Sequence, residues 1–430
     1  MGMKCIRCGT DNNLRDRTIN QGRCKNCNHP FVFEPADVRD ARFKFTDPFF
    51  AKAIADISAN NTLYFTPQQL FYLLDRRLSR NRLSPNDMQW GFFIIAIFII
   101  LASINKSKEI FYVGLPFGLI IPIYLDFRDS NSPTININVR RQKARSLQIW
   151  GGLILLGGIL LSLGLNSYIL FAGSVIVGMG SIYLGYRQLG RQSQIPQAMT
   201  ITQNQFQDWI NRWQRINDPI TKMLPAPRQE SLPTPVSAEI SAYSFDRAVI
   251  CDSAAIAQLL IANNFHFENN CAVLSSTGYP QNIFNTVMEM LFRNPDLKVY
   301  AIHDASPNGV SLVHQLRSSP NWFQNRNVMI YDLGLLPRQC ISSRNMFMQA
   351  SANSAQQAQQ MPQEVRQSLS SNELAWLDAG NFVELESFSP QRILQVLTQG
   401  ITRSQNVTDS DSLVVIDSDV GYVYAVDTFG

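Results

Sequence analysis

The sequence predicts a multidomain protein: a small ribbon held by four cysteines, a four-helix transmembrane block, and a C-terminal α/β domain on a Rossmann-like parallel sheet. Three observations carry this. Cys5-x-x-Cys8 and Cys24-x-x-Cys27 stand near the N-terminus, and long runs between Trp90 and Tyr186 hold no charged residue. From Arg247 onward, short apolar strands alternate with helical patterns. A chain of 430 residues has room for two or three soluble units beside a membrane block.

Residues 1–35 form the ribbon. Fifteen residues separate the two cysteine pairs, the spacing of a four-cysteine zinc site. Each pair makes a tight knuckle whose following residue takes positive φ, and Gly9 and Asn28 tolerate that region. Four thiolates, Cys5, Cys8, Cys24 and Cys27, close a tetrahedral shell with no open position, so the zinc is structural. His29 is not expected to be a ligand. Seven cysteines, an odd number, in a chain placed on the cytosolic side argue for thiols and metal rather than disulfides. The polar start shows no cleavable signal peptide. The ribbon resembles small modules that open many bacterial membrane proteins and contact proteins or nucleic acids.

Residues 40–85 read as a short helical segment, the possible remnant of a winged helix. Thr66 and Pro67 make an N-cap and first turn, and Leu70, Phe71, Leu73 and Leu74 form an apolar stripe. The membrane block follows over 90–186, with spans at 90–104, 110–125, 149–165 and 168–186. The last two are long enough for the ~30 Å hydrocarbon layer. The first two sit at the lower limit, with a buried hairpin or re-entrant pair as the alternative. Aromatic residues such as Trp90, Tyr124, Trp150, Tyr168 and Tyr186 stand at run ends, where a membrane interface places them. Small residues one turn apart, Ser174/Gly178 and Ser181/Gly185, permit close helix approach. Arginines and lysines crowd before the first run, between the two pairs and after the last. The opposite connections hold only Lys106 and Lys108, or Asn166 and Ser167. The positive-inside bias therefore places both termini in the cytoplasm of a multi-pass protein.

Residues 187–240 are a linker with one amphipathic helix, in which Phe206, Trp209, Ile210, Trp213 and Ile216 recur at helical spacing. This face either lies in the membrane interface or packs on the soluble domain. Pro225, Pro227, Pro233 and Pro235 then mark a stiff boundary. Residues 241–430 carry the sheet domain and a C-terminal extension. Strands RAVIC, CAVLSS, KVYAIHD and NVMIYDL alternate with three helical patterns, which argues for a parallel sheet covered on both faces. In such sheets function collects at the carboxyl ends of the strands. The glutamine-rich stretch 349–367 reads as a connector or exposed helix, 373–378 and 390–397 as short helices, and the C-terminal run as a hairpin around 417–421.

Charge is unevenly spread. Residues 1–89 hold 14 Lys/Arg against 9 Asp/Glu, 90–240 hold 13 against 7, and 241–430 hold 10 against 17. The front half suits anionic lipid or nucleic acid, whereas the acidic back half disfavours a phosphate partner. A transporter is also disfavoured, because the spans carry no ionisable residue to mark a path.

Two passages resemble the Toprim domain of the topoisomerase VI A subunit and the related meiotic double-strand-break proteins. One is Val273-Leu274-Ser275-Ser276-Thr277-Gly278-Tyr279-Pro280, similar to the family's strand ending in Gly, an aromatic and Pro. The other is Val299 to Gly309, with His303-Asp304-Ala305-Ser306-Pro307-Asn308-Gly309 similar to Asp-x-Asp-Pro-x-Gly. Leu333-Gly334-Leu335 follows as in the family. The resemblance implies a magnesium site in which Asp252 stands for the family's glutamate, Asp304 for its first aspartate and Ser306 for its second. A hydroxyl in place of an anionic ligand weakens such a site, and Asp252 and Asp304 equally suit helix capping. Gln68-Gln69-Leu70-Phe71-Tyr72 is similar to the context of the family's cleaving tyrosine, which makes Tyr72 the candidate nucleophile, although Gln68 occupies the arginine position. The reading that follows is a membrane-anchored cytosolic protein whose Toprim-like domain is a non-catalytic binding or regulatory module for an unknown protein partner. The alternative is a magnesium-dependent enzyme that cuts or rejoins nucleic acid at the bilayer.

Overall fold

Four cysteines and two two-residue strands shape the N-terminus: β1 (Met3–Lys4) pairs antiparallel with β2 (Asp11–Asn12). In this computed structural model the described residues are 2–34, 43, 45–80, 123–132, 137–165, 168–191, 196–197, 199–227, 245–294, 296–343, 346–405, 414–417, 422–425 and 429. The first two uncharged runs, apart from residues 123–125, and the proline-rich stretch beyond 227 lie outside them. The chain divides into two compact units, Met1–Asp75 with Ile201–Gly430, and Arg76–Thr200. Ribbon, helical segment up to Asp75, amphipathic helix and sheet therefore belong to one unit, and residues 76–200 are inserted into its sequence.

Within the larger unit, α1 (Leu14–Ile19) starts from an Asn13 capping box. The ribbon's exit strand is held by α2 (Asp47–Ile57), because the buried Asp47 carboxylate accepts the N–H groups of Val32 and Phe33 at 3.1 and 2.8 Å. Next comes α3 (Pro67–Arg80), which belongs to this unit up to Asp75. The amphipathic segment is α6 (Gln203–Ile216), started by a Thr202/Gln205 capping box. Its Phe206, Trp209, Ile210 and Trp213 are buried, against Phe71 of α3 and against Phe33, Phe45 and Phe50. This face packs on protein. The physical reason is supply: the ribbon tail and α2 present a set of aromatic rings whose burial needs a partner.

In the smaller unit, α4 (Ile137–Leu165) and α5 (Tyr168–Arg191) form a helical hairpin. A Cβ on Gly158 would meet the Ser174 Cβ at 2.2 Å, and one on Gly178 the Leu155 Cγ at 2.6 Å. Ser181 Oγ donates to Leu147 O at 2.7 Å. The small residues expected to bring helices together do so here. One helix among the described residues, Val139–Gly164, is long and apolar enough to cross a membrane by length and composition. The described residues therefore do not support the expected four-helix transmembrane block: one candidate span stands where four were expected, and the first two runs lie almost wholly outside the described residues. α4 also begins earlier than the uncharged run, because Arg, Lys and Gln are good helix formers and nothing between 137 and 149 breaks the helix.

The sheet domain follows the predicted alternation: β3 (Arg247–Cys251), α7 (Ala254–Ala262), β4 (Cys271–Ser275), α8 (Phe284–Arg293), β5 (Lys298–Ile302), α9 (Leu312–Ser318) and β6 (Met329–Asp332). After α10 (Pro337–Ser342), the strands β7 (Gln349–Ala350) and β8 (Asn381–Phe382) pair with each other. Between them the glutamine-rich stretch forms α11 (Ala352–Gln359) and α12 (Gln363–Ser368), and then comes α13 (Ser371–Asp378). α14 (Pro390–Gln405) leads to the hairpin of β9 (Val414–Asp417) and β10 (Tyr422–Ala425). The sheet order is β4-β3-β5-β6-β10-β9, with β9 the antiparallel edge. Strands read as unbroken apolar runs because both faces are covered. Val249, Cys251, Tyr300 and Ile302 enter one core and Ala248, Ile250, Val299 and Ala301 the other. Chain direction across the sheet reverses between β3 and β5, so their carboxyl ends frame the crevice where α/β sheets bind ligands.

Candidate functional site

The four predicted zinc ligands come together. The Sγ atoms of Cys5, Cys8, Cys24 and Cys27 all lie within 4.8 Å of one another, with Cys5 to Cys27 at 3.6 Å and Cys8 to Cys24 at 3.5 Å. Four sulfurs at ~2.3 Å from a tetrahedral zinc stand ~3.8 Å apart, so the donor set fits. Gly9 and Asn28 take φ of 72° and 56°, as the knuckles require. Asn12, fully buried, supports the shell: its Nδ2 reaches Cys24 Sγ at 3.5 Å while its Oδ1 accepts the Lys25 N–H at 2.9 Å. His29 is buried beside the knuckle and stands outside the cluster.

The second assembly sits at the reversal point of the sheet. Asp252 follows β3 and Asp304 follows β5, and the Asp304 N–H donates to Asp252 Oδ2 at 2.8 Å. The Leu385 N–H donates to Asp304 Oδ1 at 2.6 Å. Asp252 Oδ1 is shut off from solvent with no hydrogen-bond partner. Two further carboxylates, Glu384 and Glu386, arrive on the loop after β8. Tyr72 Oη donates to Glu384 Oε2 at 2.5 Å and accepts from Gln349 Nε2, while Thr66 Oγ1 donates to Glu386 Oε1 at 2.6 Å. The start of α3 is anchored beside them, since Gln69 Nε2 donates to Phe388 O and Tyr64 exchanges two hydrogen bonds with Asn263. Tyr72 thus reaches the acidic neighbourhood, but it is 3% exposed and spoken for on both sides.

Electrostatics follow from crowding like charges in a dry place. Burial pushes the Asp304 carboxyl well above its usual range, and Asp252, Glu384 and Glu386 push the same way. Burial also raises Asp252 and Glu386. The Tyr72 phenol is driven strongly upward by burial and then by Glu384, so it holds its proton. Ser306 is a helix cap: its Oγ accepts the Gly309 N–H at 3.0 Å at the start of the turn Pro307–Val310. Among the described residues, the cysteines are the one group of three or more His, Cys, Asp or Glu whose ligand atoms gather within 4.8 Å. Of the oxygens that the resemblance assigns to magnesium, Asp252 Oδ2, Asp304 Oδ1 and Ser306 Oγ each accept a backbone N–H while Asp252 Oδ1 is left without a partner, and the described carboxylates are not gathered around a cation position.

Beneath the carboxylates lies a buried ion pair. His303 Nδ1 donates to Asp304 O at 2.8 Å and Nε2 meets Asp332 Oδ1 at 3.0 Å, which also accepts the Gly334 N–H at 2.9 Å. Burial alone would lower the His303 pKa, but the Asp332 charge and hydrogen bond outweigh it and raise it to about 9. Beside the site, a cavity of about 300 Å³ is lined by Ser253, Thr277, Tyr279, Gln281 and neighbours. Sequence reasoning missed Glu384, Glu386 and Gln349, because they lie far along the chain in no motif. Compared with protein-family models, curated proteins and solved structures, the chain matches none of them.

Proposed function

We propose that this is a membrane-anchored protein whose soluble unit works on the cytosolic side as a non-catalytic binding or regulatory module, steadied by a structural zinc ribbon. The observation that carries this reading is how the polar groups at the sheet crevice are used. Asp304 and Asp252 take backbone N–H groups, Ser306 caps a helix, and Tyr72 keeps its proton in a hydrogen bond to Glu384. A tyrosine that attacks phosphorus needs an accessible, activated oxygen and a metal to stabilise the developing charge. The acidic surroundings also repel a phosphate backbone, which binds through Lys and Arg. The adjoining cavity has the size of small-ligand sites and supports binding there.

The gathering of Tyr72, Asp252 and Asp304 in one neighbourhood favours the Toprim-like enzyme as the second reading, and one assay separates the two. Purified protein with magnesium or manganese is expected to leave supercoiled plasmid intact. Nicking by the wild type that Tyr72→Phe and Asp304→Ala abolish would establish the enzyme instead.

The anchoring half of the proposal is a multi-pass, four-span block with both termini cytoplasmic. It is supported by the exposed apolar flank of the hairpin, where Leu156, Leu160 and Leu163 are 69–71% exposed, and by the basic residues at its base. Reporter fusions at both ends and near Ser132 are expected to read cytoplasmic, with Asn105 and Asn166 accessible from the opposite side. An external C-terminus sinks this topology.

A further inference from the structure

The hairpin of α4 and α5 ends on a charge that nothing among the described residues answers. Along α4 the inward stripe runs Leu147, Ala144, Arg140, all 0% exposed. The facing stripe of α5 runs Ser181, Gly185, Gln188. The register is set by the Ser181 Oγ hydrogen bond to Leu147 O and by Gly185, where a Cβ would lie 2.7 Å from Ala144 O. One turn further out, both stripes finish on a buried polar group without a partner. None of the three guanidinium nitrogens of Arg140 has a hydrogen bond, and neither has Oε1 of Gln188, which is 2% exposed.

An isolated buried guanidinium costs several kcal/mol of desolvation unless an anion meets it. Arginine's planar fork matches two oxygens of a phosphate. The same end of the hairpin carries Arg141, Lys143, Arg145, Arg187 and Arg191, of which Lys143 pairs with Asp126 at 3.0 Å. The apolar flank that would accompany acyl chains begins about two and a half turns away at Ile149 and continues through Leu153. Buried donors, a surplus of positive charge and an adjoining apolar wall describe a headgroup site at the cytoplasmic border.

We propose that the base of this hairpin binds an anionic phospholipid, with the phosphodiester oxyanion on Arg140 and a headgroup hydroxyl donating to Gln188 Oε1. The proposal rests on the membrane reading above. A free phosphate offers the same oxyanion, so the test separates lipid from soluble anion.

The full chain, purified in non-ionic detergent and stripped of lipid, is titrated with phosphatidylglycerol, phosphatidylcholine and inorganic phosphate. Thermal midpoint and lipid phosphorus retained through gel filtration are followed. Phosphatidylglycerol is expected to co-elute and raise the midpoint, phosphatidylcholine to bind at least about tenfold more weakly for want of the hydroxyl and net charge, and inorganic phosphate to do nothing. Arg140→Gln is expected to abolish retention while melting no lower than wild type in lipid-free detergent, because it removes an unanswered charge. Should that variant not purify, Gln188→Leu is expected to lose the preference for phosphatidylglycerol over phosphatidylcholine. Equal retention by Arg140→Gln, a lower lipid-free midpoint for it, an unaltered preference in Gln188→Leu, or a shift reproduced by inorganic phosphate overturns the proposal. Carbonate washing of membranes distinguishes the two failures. Release of the chain sinks the membrane reading, whereas retention in the bilayer without lipid selectivity sinks the headgroup site alone.

Discussion

Serine in place of Cys24 is expected to unfold the ribbon outright and to strip the protein of zinc. The four thiolates are held by short hydrogen-bonded knuckles, such as Gly9 N–H to Cys5 O and Asn28 N–H to Cys24 O, which small turns cannot sustain without the metal. Structural zinc supplies about 10–16 kcal/mol in isolated modules, far more than the ribbon's small core of Met3, Phe31 and the cysteines can offer. The damage should spread, because the ribbon's tail donates two backbone N–H groups to Asp47 at the start of α2. Elemental analysis is expected to find one zinc per chain in freshly purified wild type, and proteolysis to cleave the variant first within residues 1–34. Wild-type protein without zinc would end this account.

Breaking the ion pair under the sheet crevice is the second large effect. His303→Leu leaves the Asp332 carboxylate buried with the Gly334 N–H and the weaker influence of the Arg338 charge, and removing one member of a buried pair costs about 3–5 kcal/mol. The pH dependence has a definite sign. The His303 pKa is raised to about 9 in the fold from about 6.5 unfolded. Its stabilisation is therefore complete below pH ~6.5 and is lost as pH rises through ~9, on the order of 3 kcal/mol in all. Raised carboxyls at Asp252, Asp304 and Glu386 act in the same direction, since the folded state holds their protons more tightly. In this cluster Asp332 acts the other way: lowered by His303 against the opposing effect of burial, it contributes stability that is lost on acidification. Urea midpoints are expected to fall from pH 6.5 to 9 in the wild type and to fall less in His303→Leu. A flat wild-type profile over that range would refute the ion pair.

Gly334 belongs to the same device. A Cβ there would sit 2.3 Å from the His303 ring, so the Leu333-Gly334-Leu335 motif that first carried a family resemblance has a steric reason inside this chain. The resemblance is read differently at Ser306, whose hydroxyl is consumed by its own helix turn. Asp252 and Asp304 are neighbours, as the motif suggested, but they are bound to backbone rather than arranged as a cation cage.

Local chemistry was legible from residue order alone. Cysteine spacing announced the ribbon, positive-φ residue types its knuckles, small residues one turn apart the hairpin contact, and unbroken apolar runs the two-sided sheet. Each is a property of neighbours within a few positions, where periodicity and backbone sterics act directly. Long-range convergence was not legible. Nothing in the spacing joined Glu384 and Glu386 to Tyr72 and Thr66 more than 300 positions earlier, or set Arg140 opposite Gln188. The burial of α6 also required the rings that the ribbon tail and α2 bring to it. Those relations depend on which surfaces the folded chain places in contact, and burial and charge have consequences only once those surfaces have met.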